Sequence, residues 1–414
     1  MLRSIVRATL AMLPVLSASF VLADSYPQLP TFGEASLPVD LSGPVTLTSC
    51  VAQALGRNFT VRIQEFSILQ AVDSVTIQQA AYEPTFNLTA GRQVTQTPTN
   101  EAALGLLPFS SYDTGAVSVS DTLVTGGTVT ASYQLERADY KPAYFLPDPA
   151  WASTAGITVA QPLLQGAGTD YGKASIEMAR LGVHISSLNF KSTVLTMIFN
   201  VETTYYNLLY QREQYKVQEE ELKQAQQLLD ENTIKRQTGV LTDLDVMQAR
   251  AGVASAKNQL ILDEQAVHNS EDALLQLLGD RQFTSAIGSI DFPAIVEPEV
   301  SFERSYKEAR DNGPNLAVVQ ATIDQYKLAA LKAKRNSLPA LSVNGGLAYD
   351  SYQPSASQSI AGSWNGYNWN AGLTLSIPWG MAANRAIYRQ AISNVHSQEV
   401  AYDQADQNLV VLVR

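Results

Sequence analysis

Charge and reactive side chains are scarce in this sequence of 414 residues. Charged residues make up 16% of it, whereas about a quarter is usual for a globular protein. The 28 Lys and Arg are outnumbered by 39 Asp and Glu, and the net charge is −11, so the basic footprint of a nucleic-acid-binding protein is missing. The single cysteine excludes a disulfide framework and cysteine-based zinc sites. Three scattered histidines indicate no metal centre, and no cofactor is expected.

Long apolar runs are also missing beyond the start of the chain. Residues 1–23 combine a basic start with an apolar stretch that ends at Ala23, which predicts a signal peptide cleaved after that residue. No later segment has ~18 consecutive apolar residues, so no transmembrane helix is expected. The mature chain is therefore predicted to be exported, either as a soluble protein outside the cytoplasm or inserted in a membrane as a β-barrel.

The sequence contains an internal repeat. Residues 45–61 resemble residues 300–316, 255 positions later. At the same offset, EPTFNLTAG (83–91) resembles LPALSVNGG (338–346). TAGITVAQP at 154–162 resembles NAGLTLSIP at 370–378, only 216 positions later. The first copy therefore carries about 39 extra residues between these motifs. Each copy is predicted to form a helix, a strand, an outer loop, a strand and a helix.

The repeat divides the chain into five predicted segments. These are a signal peptide (1–23), a Pro-rich N-terminal segment (24–44), a first structural repeat (45–280), a linker (281–299) and a second structural repeat (300–414). The second repeat stops at Arg414, the counterpart of Glu202, so we expect it to be truncated at its C-terminus. The sequence alone leaves open whether this is a fragment or a natural truncation.

The strand regions alternate apolar and polar residues, as in the run from Leu341 to Tyr349. Alternation over ~9–11 residues fits a membrane-crossing strand as well as a half-buried soluble one. Within the extra piece, residues 115–135 place Gly126-Gly127 between two alternating runs, which indicates a hairpin. Whether this hairpin joins the other strands stays open at this point.

Aromatic residues flank the predicted strands and favour a membrane. Tryptophan and tyrosine favour the membrane–water interface because one end of the side chain is apolar and the other is polar. The candidate interface residues are Trp151, Tyr349, Trp364, Tyr367 and Trp369. A soluble sheet with exposed aromatic residues is the weaker alternative.

Two long helices are predicted between the strand regions. Residues 172–236 contain no proline, and apolar residues recur every seven positions from Val201 to Leu229. After Gly239, a second helix is predicted to carry its heptad stripe at Met247, Ala254, Ile261, His268 and Leu275. Heptads on both sides of a tight turn predict an antiparallel coiled-coil hairpin.

The residues of the turn between these helices predict how the first helix ends and how the second begins. Gly239 is expected to adopt a left-handed conformation that ends the first helix. Thr242 is expected to cap the second helix, with Asp245 close to its positive N-terminus. Val240 and Leu241 have no helix partner, which predicts an exposed contact surface.

Taken in order and in duplicate, these motifs resemble the TolC-like outer-membrane efflux proteins. LTSCVAQAL resembles the start of the family's repeat, EPTFNLTAG and LPALSVNGG its step from helix to strand, and TAGITVAQPLLQG its return strand. RQTGVLTDLDVMQAR, with Gly239 and Asp245, resembles the family's periplasmic turn. The resemblance extends from about residue 45 to the end of the chain.

The resemblance implies an α+β membrane protein of a particular design. A homotrimer would share one β-barrel in the outer membrane, continued by a long antiparallel α-helical coiled-coil barrel across the periplasm. Such a duct, in contact with outer-membrane lipid, would work passively with a periplasmic adaptor protein and an inner-membrane transporter. Two strands per repeat would give twelve strands in a trimer, which is enough for closure. The gate residues would lie in a second helical hairpin that this sequence does not include.

The resemblance also assigns residues and leaves questions. The candidate adaptor-docking residues are Gly239, Val240, Leu241, Thr242 and Asp245. The exported substrate, the pump and the adaptor are not readable from the sequence. A structural or adhesive coiled-coil envelope protein is the main alternative, although it does not require duplicated, aromatic-flanked strands. An enzyme is not expected, because the sequence has no G-x-S-x-G, H-E-x-x-H or P-loop motif.

Overall fold

The computed structural model describes most of the chain after the predicted signal peptide. The described residues are 43–96, 109–141, 150–280, 283, 287–290, 292, 301–362, 364 and 366–414. The predicted signal peptide, nearly all of the Pro-rich segment and most of the linker lie outside these residues.

Eight helices and six strands follow one another in the described part of the chain. They are α1 (Leu47–Arg57), α2 (Phe59–Ala80), β1 (Thr85–Gln96), β2 (Phe109–Thr122), β3 (Thr128–Lys141), β4 (Ala150–Pro162), α3 (Thr169–Gln237), α4 (Asp243–Leu277), α5 (Phe302–Asn312), α6 (Pro314–Asn336), β5 (Ala340–Gln353), α7 (Ala356–Ala361), β6 (Gly366–Ser376) and α8 (Ala382–Val413). Helices α5 and α6 and strand β5 each begin 255 positions after α1, α2 and β1. The local structure therefore follows the repeat in the sequence.

The first helix of the repeat is broken into two at Asn58. The cap of the first part is Thr46, whose hydroxyl accepts a hydrogen bond from the backbone N–H of Ser49 at 3.3 Å. Asn58 then leaves the helical conformation, and its Oδ1 accepts from the N–H of Thr60 at 2.8 Å. The asparagine thus ends α1 and caps α2, which a propensity argument alone does not foresee.

The described residues form two compact units. One comprises Ala71–His184 and Val319–Gln404 and contains all six strands. The other comprises the residues up to Gln70, Ile185–Val318 and Ala405–Arg414, and contains the α3–α4 turn.

The strands form one antiparallel sheet in the order β1-β2-β3-β4-β5-β6. The extra hairpin of the first repeat, whose place the sequence left open, joins the sheet as β2 and β3 and adds two strands to the two expected from each repeat. Its turn uses Gly126 at φ +87°, and the N–H of Leu123 donates to the carbonyl of Gly127 at 2.7 Å. This turn lies against the first turn of α3, where a side chain at Gly172 would collide with the carbonyl of Val124.

The core of the other unit lies among α1, α3 and α4. Its buried residues include Val45, Cys50, Ala54, Val61, Met197, Val201, Tyr205, Leu208, Leu274, Leu275 and Leu278. The Tyr205 hydroxyl donates to the carbonyl of Val45 at 3.0 Å, which satisfies a buried polar group. Burial raises the pKa of the Cys50 thiol, so this cysteine is a packing residue and not an activated nucleophile.

The packing stripe of α4 is displaced by one position along the helix from the predicted stripe. The predicted stripe on α3 is correct, since Val201 and Leu208 are fully buried. On α4, however, the predicted stripe is largely exposed, and Nδ1 of His268 lies 3.3 Å from the carboxylate of Glu271 on the same helix. The residues that turn inward are Val246, Val253, Leu260, Val267 and Leu274. Both stripes repeat every seven residues, so periodicity alone could not separate them.

Candidate functional site

The register of the sheet separates an apolar face from a polar face. One row across the six strands consists of Phe86, Val119, Ala131, Ile157, Leu347 and Trp369. The next row, displaced by one residue, consists of Thr85, Ser120, Thr130, Thr158, Gly346 and Asn370. Neighbouring residues of a strand point to opposite faces. The sheet therefore has one face suited to lipid and one suited to water, which is the pattern of a transmembrane β-barrel wall.

The polar face is hollow and carries few charges. A depression of about 440 Å³ is lined mainly by residues of this face, among them Gly91, Tyr112 and Glu136. The only charged side chains that the described strands present here are Glu136 and Asp350. Asp350 accepts hydrogen bonds from Thr154 Oγ1 at 2.8 Å and from Asn368 Nδ2 at 2.7 Å. These bonds join β4, β5 and β6 and hold the carboxylate in place.

The candidate interface aromatics gather on the apolar face. Tyr349 lies opposite Tyr367 on neighbouring strands, and Trp369 follows on the same face. Trp364 lies outside the strands, and its ring packs against that of Tyr133 in a tilted arrangement, with 6.3 Å between ring centroids. Tyr133 belongs to the same row as Tyr349, so it is a further candidate interface aromatic, which the sequence analysis did not name.

Trp151 lies on the same face, at the end of β4 opposite its connection to α3. Its row also contains Arg137, which starts a set of charged side chains at this end of the sheet. Asp113 binds Arg92 at 3.5 Å and Arg137 at 3.6 Å across β1, β2 and β3. Ion pairs directly opposite each other on neighbouring strands stabilise their register. They also mark where the apolar part of this face ends.

The turn between α3 and α4 has the geometry that the sequence predicted. Gly239 has φ +81°, its N–H donates to the carbonyl of Arg236 at 2.9 Å, and the N–H of Val240 donates to that of Lys235 at 2.9 Å. These two bonds form a Schellman motif, which ends α3 with a left-handed glycine. The glycine is required here by its backbone angle, since the space around it is open.

Thr242 and Asp245 form a capping box at the start of α4. The Asp245 carboxylate accepts from the backbone N–H of Thr242 at 2.8 Å and from its hydroxyl at 2.6 Å. These hydrogen bonds lower the pKa of the Asp245 carboxyl. Arg236 and Asp243 form an ion pair of 2.5 Å across the turn. The two helices are thus held together at their connection by local polar contacts.

Apolar side chains are exposed around this turn. Val240 is 72% exposed, Leu244 63% and Met247 67%. Leu241 is half-buried and therefore less exposed than Val240. Met247 was predicted to pack, because it begins the heptad stripe expected on α4, and Leu244 was not among the predicted contact residues. An exposed apolar cluster of this kind is typical of a contact surface.

A second exposed apolar surface runs along α3. It consists of Leu195, Phe199, Tyr206, Tyr210, Val217 and Leu228. The first five residues alternate in steps of four and seven, and Leu228 follows eleven positions after Val217. An eleven-residue repeat keeps residues on one side of a helix. The core residues Tyr205 and Leu208 lie on the opposite side. Helix α3 therefore has two apolar sides, and α4 covers only one of them.

A hollow of about 660 Å³ among α2, α3 and α4 is lined by amides, hydroxyls and a few apolar groups, such as Asn58, Thr196 and Met197. The described residues include no group of three His, Cys, Asp or Glu side chains that could hold a metal ion. Within the same residues, no helix is both long enough and apolar enough to cross a membrane.

Comparison with known proteins gives one family match. Residues 147–280, from β4 through α4, match the family described as outer membrane efflux protein. The chain is similar to the outer membrane efflux proteins. This match confirms the resemblance that the sequence motifs predicted. None of the curated proteins compared with the chain matches it.

Solved structures of outer-membrane channels have the same fold as this efflux-protein-like chain. The CmeC channel of Campylobacter jejuni is 17% identical with a TM-score of 0.63, over 86% of this chain and 67% of that one. VceC of Vibrio cholerae is 11% identical with a TM-score of 0.60, over 87% and 75%. The open MtrE channel of Neisseria gonorrhoeae is 17% identical with a TM-score of 0.58, over 87% and 70%. At such identities the likeness concerns the fold.

Proposed function

We propose that the chain is the outer-membrane duct of an export system. Three copies would share one β-barrel in the outer membrane, and their helices would form a tube in the periplasm. The duct would act passively, with a periplasmic adaptor and an inner-membrane transporter supplying cargo and energy. The observation that carries the proposal is the two-faced sheet, because apolar and polar rows alternate across all six strands.

The edges of the sheet support assembly from several copies. Strands β1 and β6 are the two edges, and both are exposed along nearly their whole length. Unpaired backbone groups cost several kcal/mol each in lipid, so a lone sheet is not stable there. Because β1 and β6 run in opposite directions, β6 of one copy can pair antiparallel with β1 of the next. The contact is head-to-tail, and such contacts close into rings.

The helices support the same assembly. The exposed stripe on α3 and the exposed apolar residues of α4, such as Ile261, need partners that one chain does not provide. In a ring of copies, each α3–α4 hairpin would cover these surfaces on its neighbour. We infer that the second copy of this chain is the partner of the α3 stripe.

Assembly gives the first prediction. Replacing Val217, which is 61% exposed in the middle of the stripe, by aspartate places three charges in the interfaces of a trimer. Because burying an unpaired charge costs several kcal/mol, we expect Val217→Asp to abolish the trimer. Mass measurement of the full chain extracted in detergent would report it. The control, Lys216→Gln, changes the charge equally beside the stripe and should stay trimeric. A wild-type chain that is monodisperse and monomeric without detergent would contradict the proposal.

Ion selectivity gives the second prediction. The polar face carries two carboxylates, Glu136 and Asp350, and no cationic side chain in the described strands, and rings of acidic side chains favour cations. In planar bilayers with a KCl gradient, we expect a cation preference. The double variant Glu136→Gln with Asp350→Asn should bring the cation-to-anion permeability ratio to about one. Asp139→Asn, on the other face of β3, is the control and should keep the preference. An anion-selective wild type would be inconsistent with a lumen lined by this face.

A further inference from the structure

The extra hairpin of the first repeat lies in the middle of the sheet. Strand β2 pairs with β1 from Thr85↔Ser120 to Gln96↔Phe109, and β3 pairs with β4 from Thr128↔Ala160 to Ala138↔Ala150. The hairpin therefore separates β1 from β4, which a four-stranded arrangement would make neighbours. It cannot be folded away from the sheet without breaking both ladders.

The hairpin has the same two faces as the other strands. Val117 and Val119 lie on the apolar face, in rows with Leu88 and Phe86 of β1. The residues between and beyond them, Ser118 and Ser120, lie on the polar face. The pattern is that of a strand with lipid on one side and water on the other.

The apolar part of the hairpin has the length of a membrane crossing. On β2 it is bounded by Asp121 at the turn and by Asp113 at the other end, on the same face. Eight residues of strand extend about 26 Å, and outer-membrane barrels carry an apolar band about 25 Å tall. A tilted strand still spans most of that band. The hairpin is thus built to cross the membrane and not to rest above it.

We propose that the hairpin forms part of the barrel wall, so that the trimeric barrel has eighteen strands instead of twelve. This inference rests on the proposed function, which supplies the three copies of six strands. With strands about 4.8 Å apart and tilted by about 40°, eighteen strands give a backbone diameter of about 36 Å and twelve give about 24 Å. Barrels of 16–18 strands leave an open aqueous channel. The outlet would then admit bulky polar cargo that a twelve-stranded outlet excludes.

Single cysteines test the position of the hairpin in the outer membrane. Ser118→Cys and Ser120→Cys should react with a cationic, membrane-impermeant methanethiosulfonate, whereas Val117→Cys and Val119→Cys should react at least about tenfold more slowly, because lipid suppresses the thiolate and hides it from the reagent. The native Cys50 is fully buried and silent. Equal reaction of all four would overturn the inference.

A control pair separates this inference from the proposed function. Ala348→Cys and Leu347→Cys lie on opposite faces of β5, which crosses the membrane in either arrangement. If β5 alternates and the hairpin does not, the duct stands and the eighteen-stranded barrel fails. If neither alternates, the proposed function itself fails. Electron cryomicroscopy of the wild-type trimer in lipid nanodiscs gives a second readout: we expect eighteen strands around the ring, and twelve would refute the inference.

Discussion

A chain with Val240→Asp is expected to lose export almost completely while still forming trimers in the outer membrane. Val240 is the most exposed of the apolar residues at the α3–α4 turn, and it has no packing role that the substitution would remove. If the turn docks on an adaptor, a charge at the centre of that apolar contact costs several kcal/mol. The measurement is survival, on a panel of dyes, detergents and metal salts, of cells that lack other ducts. It is scored for the compounds against which the wild-type chain protects.

Two further variants make this test specific for the turn. Gly239→Pro is expected to have the same effect, because proline cannot adopt φ +81° and removes the N–H that bonds Arg236. Gln227→Glu adds a charge on an exposed position of α3 outside the turn and should export normally. Normal protection by both turn variants, at wild-type protein level, would show that docking occurs elsewhere.

Failure of membrane insertion is expected from Ile157→Arg, whereas Thr158→Arg should insert. Ile157 lies in the central apolar row of the sheet, between Ala131 and Leu347. An arginine at mid-membrane on the lipid face of a barrel costs about 2–4 kcal/mol, and a trimer would carry three. The neighbouring Thr158 points to the polar face, where it lies opposite Gly346. The measurement is the fraction of chain that resists urea extraction from isolated outer membranes.

The comparison of Ile157→Arg with Thr158→Arg also separates exposure to lipid from general misfolding. Both variants place the same side chain on the same strand, one residue apart. General misfolding caused by arginine would affect both. If both insert equally well, the row that contains Ile157 does not face lipid, and the assignment of faces is wrong.

Much of the local structure could be predicted from the sequence because single residues decide it. The Gly239 turn and the Thr242–Asp245 capping box need only local backbone angles and hydrogen bonds, and both were predicted correctly. The long helix α3 follows from the absence of proline over more than sixty residues. The strands follow from alternation that is easily seen. None of these depends on distant parts of the chain.

The errors arose where distant packing decides between equivalent patterns. Two heptad stripes on α4 fit the sequence equally well, and only the contact with α3 selects the one with Val246 over the one with Met247. The hairpin pattern at 115–135 could be recognised, but its place in the sheet depends on pairing with β1 and β4. The docking and interface residues remain predictions, since they concern surfaces that a single chain leaves uncovered.

The glycine at position 172 has a consequence for how this protein can be engineered or can evolve. The β2–β3 turn rests where a side chain of residue 172 would otherwise stand. The hairpin is therefore not an independent module, because the strand–helix junction is shaped to receive it. Excising it would leave a hole at that junction as well as two unpaired strands. Transplanting it into a relative without such a glycine would cause a collision. A chimera therefore needs both changes together.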